Sequence, residues 1–481
     1  MKKTLYWHDY ETFGIDPKRD RPAQFAGIRT DEDFNIIGEP LVMYCQPAND
    51  FLPDPQACMI TGIAPQLALE KGVNEAEFIR KIHKEFAQAG TCVVGYNNLR
   101  FDDEFTRYIL YRNFFDPYAR EWQNSNSRWD IIDLLRLSHA LRPQGIHWPK
   151  REDGYTGFRL EKLSQSNNIV HQNAHDALSD VLATIEIARL VRQQQPQLYQ
   201  YVFEHRTKYK VQDLFDLHKQ TPFVHISGMY PANRGHLGIV VPIAMDADNK
   251  NALIVYELHH DPKDLLNMSI EQIKHYTFTK VADLSTGEQR LPLKTIHLNK
   301  CPVLVPLKTL TPDNIKQWDI QLTQCEQHLN TLKTDQSLSE RIQNAFKHSF
   351  SSIDDEDPDQ SLYSGGFFSK ADKDKMTTIR QTKSTELGNL AVNFEDKRLA
   401  EMFFRYRARN YPATLSNDDL KRWEKYRLER MTTGAGSIKL ADYPLQIKQL
   451  KEADVTIETQ QLLEQLEAYP DLIGIKSNKN L

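Results

Sequence analysis

Thr4-Leu-Tyr-Trp-His-Asp-Tyr-Glu-Thr-Phe-Gly14 stands near the start of the chain, and every later stretch is read against it. As a strand it sends Leu5, Trp7, Asp9 and Glu11 to one face and Tyr6, His8 and Tyr10 to the other. Two carboxylates then stand side by side. Like charges that close on a half-buried strand are costly unless a cation lies between them, and divalent ions that prefer oxygen ligands fill that role. An edge strand with its acids in water would use the same residues. Asp102, His175 and Asp180, far along the chain, tip the reading towards metal chemistry.

A chain of 481 residues is too long for one core, and two or three domains are expected. Hydrophobic residues at 40% and charged residues at 26% are ordinary for a soluble globular protein. The formal net charge of -5 argues against capture of nucleic acid by the molecule as a whole, so phosphate binding must rest on local patches or bound metal. Cys45, Cys58, Cys92, Cys301 and Cys325 contain no C-x-x-C pair and are odd in number, which disfavours a disulfide framework and a structural zinc site. A cytoplasmic setting is expected. Lys2 and Lys3 are followed by acids before any long apolar run, so no secretory signal is read. Gly238 to Met245, among the longest apolar runs, falls well short of the roughly 18 residues of a membrane span.

Along the chain, Phe25 to Thr30 and Asn35 to Tyr44 alternate as strands, Glu75 to Ala89 has helical spacing, and Thr91 to Gly95 is a short apolar strand. That order predicts a mixed α/β sheet. A helix from about Asp102 sets Asp102 or Asp103 where a strand ends and a helix begins, and such an acid also suits the helix dipole. Trp129 to Ala140 and Phe158 to Gln165 read as helices. In Asn173-Ala-His-Asp-Ala-Leu-Ser-Asp180, Asn173 caps the helix and Asp176 completes a capping box. His175 and Asp180 are five residues apart, which suits one ligand and one separate proton carrier better than two ligands of one ion.

Beyond Pro196 the texture becomes β-rich, with strands expected at Pro222 to His225, Gly238 to Ala244, Ala252 to Leu258, Tyr276 to Val281 and Leu293 to Leu298. Met229 and Trp318 are expected in its core. Gln321 to Phe346 is helical, Ser351 to Asp359 is an acidic linker, and helical patterning fills Leu362 to about Ala468. Lys397 to Arg430 holds ten Lys/Arg against five Asp/Glu, interleaved with Phe403, Phe404, Tyr406, Tyr411, Trp423 and Tyr426. This fits a single-strand groove or a basic helix packed on its aromatic face.

His8-Asp-Tyr-Glu-Thr-Phe-Gly14, Gly95-Tyr-Asn-Asn-Leu-Arg-Phe-Asp-Asp-Glu104 and His175-Asp-Ala-Leu-Ser-Asp180 together resemble the His-containing branch of the DEDD 3′-5′ exonuclease superfamily. Asp20 to Phe25, Asn126 to Asp130, Asn299 to Leu304 and Tyr406 to Asn410 narrow the resemblance to the bacterial exodeoxyribonuclease I family. It implies an α/β multidomain protein: a ribonuclease-H-like exonuclease domain over 1–195, an SH3-like β-barrel domain over 196–350, an acidic linker at 351–360 and a helical C-terminal domain over 361–481. The implied activity is 3′-to-5′ degradation of single-stranded DNA to 5′-mononucleotides, in repair and recombination. By the same resemblance Asp9, Glu11, Asp102, His175 and Asp180 are catalytic. Asp9, Glu11 and Asp180 hold metal, Asp102 anchors the water shell of a second ion, and His175 takes a proton from water. The implied cofactor is a pair of Mg²⁺ ions, with Mn²⁺ as a substitute. Substrate contacts are carried over to Glu11, Arg107, Trp122, Arg136 and Arg159. Family resemblance also implies a monomer, with no membrane association, that binds the acidic C-terminal tail of the single-strand DNA-binding protein.

Between Tyr96 and Arg136 six Arg face seven Asp/Glu, so charge counting alone shows no basic groove, and a surface ion pair remains open for each arginine. The five catalytic groups do not choose between sugars, which keeps a 3′-5′ exoribonuclease as an alternative. A non-catalytic single-strand-binding scaffold is the other, and it needs none of the five.

Overall fold

The computed structural model describes residues 3–171, 176–347, 356–453 and 456–475. They form two compact units, one of residues 1–127, 171–185 and 352–481, the other of residues 128–170 and 186–351.

In the first unit, β1 (Thr4–Thr12) runs antiparallel to β2 (Pro22–Thr30) and parallel to β4 (Thr91–Gly95), with β3 (Leu41–Tyr44) outside β2. The opening stretch is therefore a central strand, and the edge-strand alternative is excluded. Its Tyr6 and Tyr10, with Phe25 of β2, pack on α3 (Glu75–Phe86) and α4 (Asp102–Arg112) through Phe78, Ile82, Phe86, Phe105 and Ile109. Two seven-residue helices, α1 (Pro55–Thr61) and α2 (Pro65–Lys71), were not anticipated. Each opens on a proline, whose missing N–H costs nothing at a helix start, and each is too short for a periodic signal.

The helices from Lys370 to Leu472 share cores with this sheet region. Tyr108, Tyr111 and Phe114 pack with Met376, Ile379, Leu399 and Tyr406, while Cys58 and Ala68 pack with Tyr443, Leu463 and Tyr469. The basic and aromatic stretch from Lys397 to Arg430 is largely turned inward, so packing, not an open groove, accounts for it. Arg405, Arg409 and Arg430 are buried against Asp50, Asp357 and Asp359, and Phe404 packs on Trp423. Asp357 and Asp359, read from sequence as linker, are docked on these arginines.

β5 (Ser127–Asp130) leads into the second unit. Trp129, expected in a helix, lies in this strand; the helix α5 (Ile132–Leu141) begins only after Asp130 accepts the Ile132 N–H at 3.0 Å. α6 spans Leu160–Ser166. The unit's own sheet is antiparallel in the order β10-β6-β7-β8-β9, from β6 (Phe223–Ile226), β7 (Leu237–Met245), β8 (Ala252–Glu257), β9 (Leu293–His297) and β10 (Val303–Pro306). Tyr276 to Val281, expected as a strand, overlaps the end of a helix, Ile270–Phe278, which a Ser269/Gln272 capping box starts. Met229 is 67% exposed and not core, while Trp318 is half-buried and donates its indole N–H to Ala140 O at 2.8 Å. The helix α7 (Ala177–Gln194) belongs to the first unit through Ile185.

Candidate active site

The site grows from the end of β1. Asp9 and Glu11 share a face, and the ladder with β2 slips between Glu11 and Thr12, a bulge that ends regular pairing beside the acids. Asp180, four residues into α7, joins them: Asp9, Glu11 and Asp180 each offer a carboxylate oxygen, all within 4.8 Å of one another. This is the only such group of three metal-ligating side chains among the described residues. No lysine or arginine pairs with Asp9 or Glu11 among those residues.

The electrostatics follow from that crowding. Burial, followed by Asp102, Glu11 and Asp180, holds the Asp9 carboxyl well above the usual carboxylate range. Burial, then Asp180 and Asp102, pushes Glu11 up to about 9. Carboxyl groups held this way take up protons or a cation. An all-oxygen, acid-only donor set on buried backbone fits a hard divalent ion.

Asp102 reaches the site by a tight turn. Gly95 ends β4 where an added Cβ would stand 2.7 Å from the Cβ of Asn98, and Asn97 takes a left-handed φ of 60° that asparagine tolerates. α4 then begins, and the Tyr10 N–H of β1 donates to Asp102 Oδ1 at 3.1 Å. The neighbouring acid has a different role. Asp103 points about 100° away around the helix and forms a fully buried ion pair with Arg120 at 2.7 Å. The structure thus separates two adjacent acids that the sequence could not. His8, between Asp9 and Trp7, faces the other side; its Nδ1 lies 3.1 Å from Val94 O, and burial lowers its pKa to about 4, so it is a neutral core histidine.

His175 and Asn173, which the sequence suggested as the cap, lie outside the described residues. Asp176 is the cap itself: it precedes α7, and its Oδ2 accepts the Ser179 N–H at 3.3 Å. Sequence reasoning passed over His171, four residues before His175. Its Nε2 bonds to Asp180 Oδ1, and its side chain is 4% exposed. The His-x-x-x-His spacing was the available signal.

Among the substrate candidates, Trp122 is 66% exposed, as a stacking surface requires. Arg107 is buried, with its guanidinium taken up by Glu121 at 2.8 and 3.0 Å, Glu104 at 2.9 Å and the Tyr363 hydroxyl at 3.1 Å. In the second unit, Arg136 pairs with Asp133 at 2.5 Å over the Phe158 ring. Arg159, also in the second unit, is exposed at the start of α6, with no ion pair among the described residues.

Three family models match in order: Exonuclease over residues 6–188, Exonuclease I SH3-like domain over 206–348 and Exonuclease I C-terminal domain over 356–473. The exodeoxyribonuclease I of Haemophilus influenzae is 46% identical over 433 residues, 90% of this chain and 91% of that protein. A moderately thermophilic exonuclease I from Methylocaldum szegediense superposes with a TM-score of 0.94 at 47% identity, over 98% of this chain and 100% of that one. The zinc-bound complex of Escherichia coli exonuclease I with single-stranded DNA gives 0.93 at 44% identity, with the same coverage.

Proposed function

The chain belongs to the exodeoxyribonuclease I family and is a 3′-to-5′ exonuclease of single-stranded DNA; on that premise we propose that Asp9, Glu11, Asp102, His175 and Asp180 hydrolyse the terminal phosphodiester with two divalent cations. Its mixed sheet belongs to the exonuclease domain, its antiparallel sheet to the SH3-like domain, and its last helices to the C-terminal domain. The observation that carries the proposal is the approach of Asp9, Glu11 and Asp180 to within 4.8 Å. Asp9 and Glu11 would hold metal from a strand that cannot shift without breaking two ladders, and Asp180 would do so from a helix turn with His171 bonded to its carboxylate. Asp102, oriented by the Tyr10 N–H, would help to hold a second ion. When bound, the cations lower the pKa of the attacking water and offset charge on the phosphate and the departing 3′ oxygen. His175 would take a proton from water, a task suited to imidazole, whose unperturbed pKa is near 6.5.

The family is divalent-metal dependent, and the physiological ions are proposed to be Mg²⁺, with Mn²⁺ as the substitute. Glu11, Trp122, Arg136 and Arg159 are proposed as DNA contacts, the arginines on phosphates and the indole stacked on a base. Arg107, enclosed by carboxylates, is assigned to the wall that supports the strand. The protein is proposed to work in DNA repair and recombination as a cytoplasmic monomer. All five cysteines are buried and none forms a disulfide, and among the described residues no helix is long and apolar enough to cross a membrane. Binding of the acidic tail of the single-strand DNA-binding protein is carried by the family resemblance alone.

The test is digestion of a 5′-labelled oligodeoxynucleotide. Asp9→Ala and Asp180→Ala should fold as the wild type does and leave the oligomer intact in Mg²⁺. Undiminished digestion by either would remove the site.

A further inference from the structure

We propose that Gln24 is a positioning residue for the metal site, clasping the first turn of α7 to the sheet so that Asp180 is held within reach of Asp9 and Glu11. This deepens the metal-dependent reading above and rests on it. Gln24 stands directly opposite Glu11 in the antiparallel register of β1 and β2, so their side chains share a face, and it is 3% exposed. Its amide makes two contacts with a segment some 150 residues away. Oε1 accepts the Ala177 N–H at 3.2 Å, one of the donors that a helix start leaves unsatisfied, and Nε2 donates to Asp176 Oδ1 at 3.2 Å. From there a local chain of bonds leads to the ligand: Asp176 Oδ2 accepts from Ser179 N at 3.3 Å, and Asp176 O accepts from Asp180 N at 3.1 Å.

The residue type is specified by this pair of partners. A backbone N–H can only donate and a carboxylate only accept, so the side chain between them must offer one acceptor and one donor side by side, which an amide of glutamine length does. The partners also fix which amide atom is oxygen. A glutamate would lose the donor and add another negative charge to a pocket already holding Asp9, Glu11, Asp102, Asp176 and Asp180. Holding the helix down in advance pre-forms the ligand set.

Metal binding read directly, by electron paramagnetic resonance of Mn²⁺ titrated into the full chain without DNA, separates this role from general stability. Gln24→Met keeps the length, adds no charge and removes both bonds; it should weaken Mn²⁺ binding about tenfold, with a melting curve that shows it folded. Asp176→Ala added to Gln24→Met should cost less affinity than Asp176→Ala in the wild type, because the two residues act through one bond. Gln24→Asn, in which the same amide stops a methylene short, is the second variant and should show the same weakening. Affinity within twofold of wild type in either folded variant, or strictly additive effects in the cycle, would overturn the assignment. Absence of Mn²⁺ binding by the wild type is the separate result that would remove the metal reading beneath it.

Discussion

Glu11 illustrates how one side chain couples stability, pH and metal. Its folded pKa of about 9 lies above the ordinary 4.5, so the native state keeps a proton that the unfolded chain has already lost. Stability from this group is full below about 4.5 and is lost as pH rises towards 9. A divalent cation that replaces the proton should reverse that loss. The expected result is a gap between the melting temperatures in Mg²⁺ and in EDTA that widens from pH 5 to pH 9. Glu11→Gln should narrow it, and a gap independent of pH would contradict the account. His175 belongs to the same scale but to a different step: His175→Ala should retain Mn²⁺ binding and lose roughly a hundredfold or more in turnover, as removal of a positioned base does. Loss of metal by that variant would move His175 among the ligands.

At the scale of elements, α4 and the turns after it sort arginines and aromatics into supports and surfaces. Arg107 is buried among Glu104, Glu121 and the Tyr118 ring, whereas Trp122 a few turns later is mostly in solvent. Removing a partner from a buried ion pair leaves its carboxylates uncompensated and costs about 3–5 kcal/mol. Removing an exposed indole costs little fold stability, but about 1–3 kcal/mol of stacking on a base. Arg107→Ala is therefore expected to lower the melting temperature, and Trp122→Ala to weaken single-strand binding at an unchanged melting temperature. Fluorescence anisotropy of a labelled oligomer in Ca²⁺, beside thermal melts, would reveal the opposite pattern if the two roles were reversed.

Over the whole molecule, the segments that make the first unit come from both ends of the chain, and buried charge helps to bind them. Arg409 bridges Asp50 at 2.8 Å and Asp359 at 2.7 Å, and the three side chains are at most 5% exposed. Their arginine partners hold both carboxyls well below the usual carboxylate range. Arg409→Ala should cost about 3–5 kcal/mol by denaturant titration, because two buried acids lose a shared cation. A change under about 0.5 kcal/mol, the ordinary surface value, would mean that these pairs do not hold the unit together.

The sequence by itself determined the local items. β1, β4 and the start of α4 follow from periodicity and turn residues, and the acids Asp9, Glu11, Asp102 and Asp180 stand in motifs long enough to be recognised. These are properties of neighbouring residues, whose spacing along the chain fixes which way they point. Tertiary structure alone decided that Asp103 pairs with Arg120 while Asp102 faces β1, that the arginines of the C-terminal helices turn inward, and that Gln24 and His171 meet α7. Each depends on groups separated by many residues coming within bonding distance, and no one-dimensional pattern encodes that encounter. It arises when buried charges and amides find the few partners that leave none of them stranded.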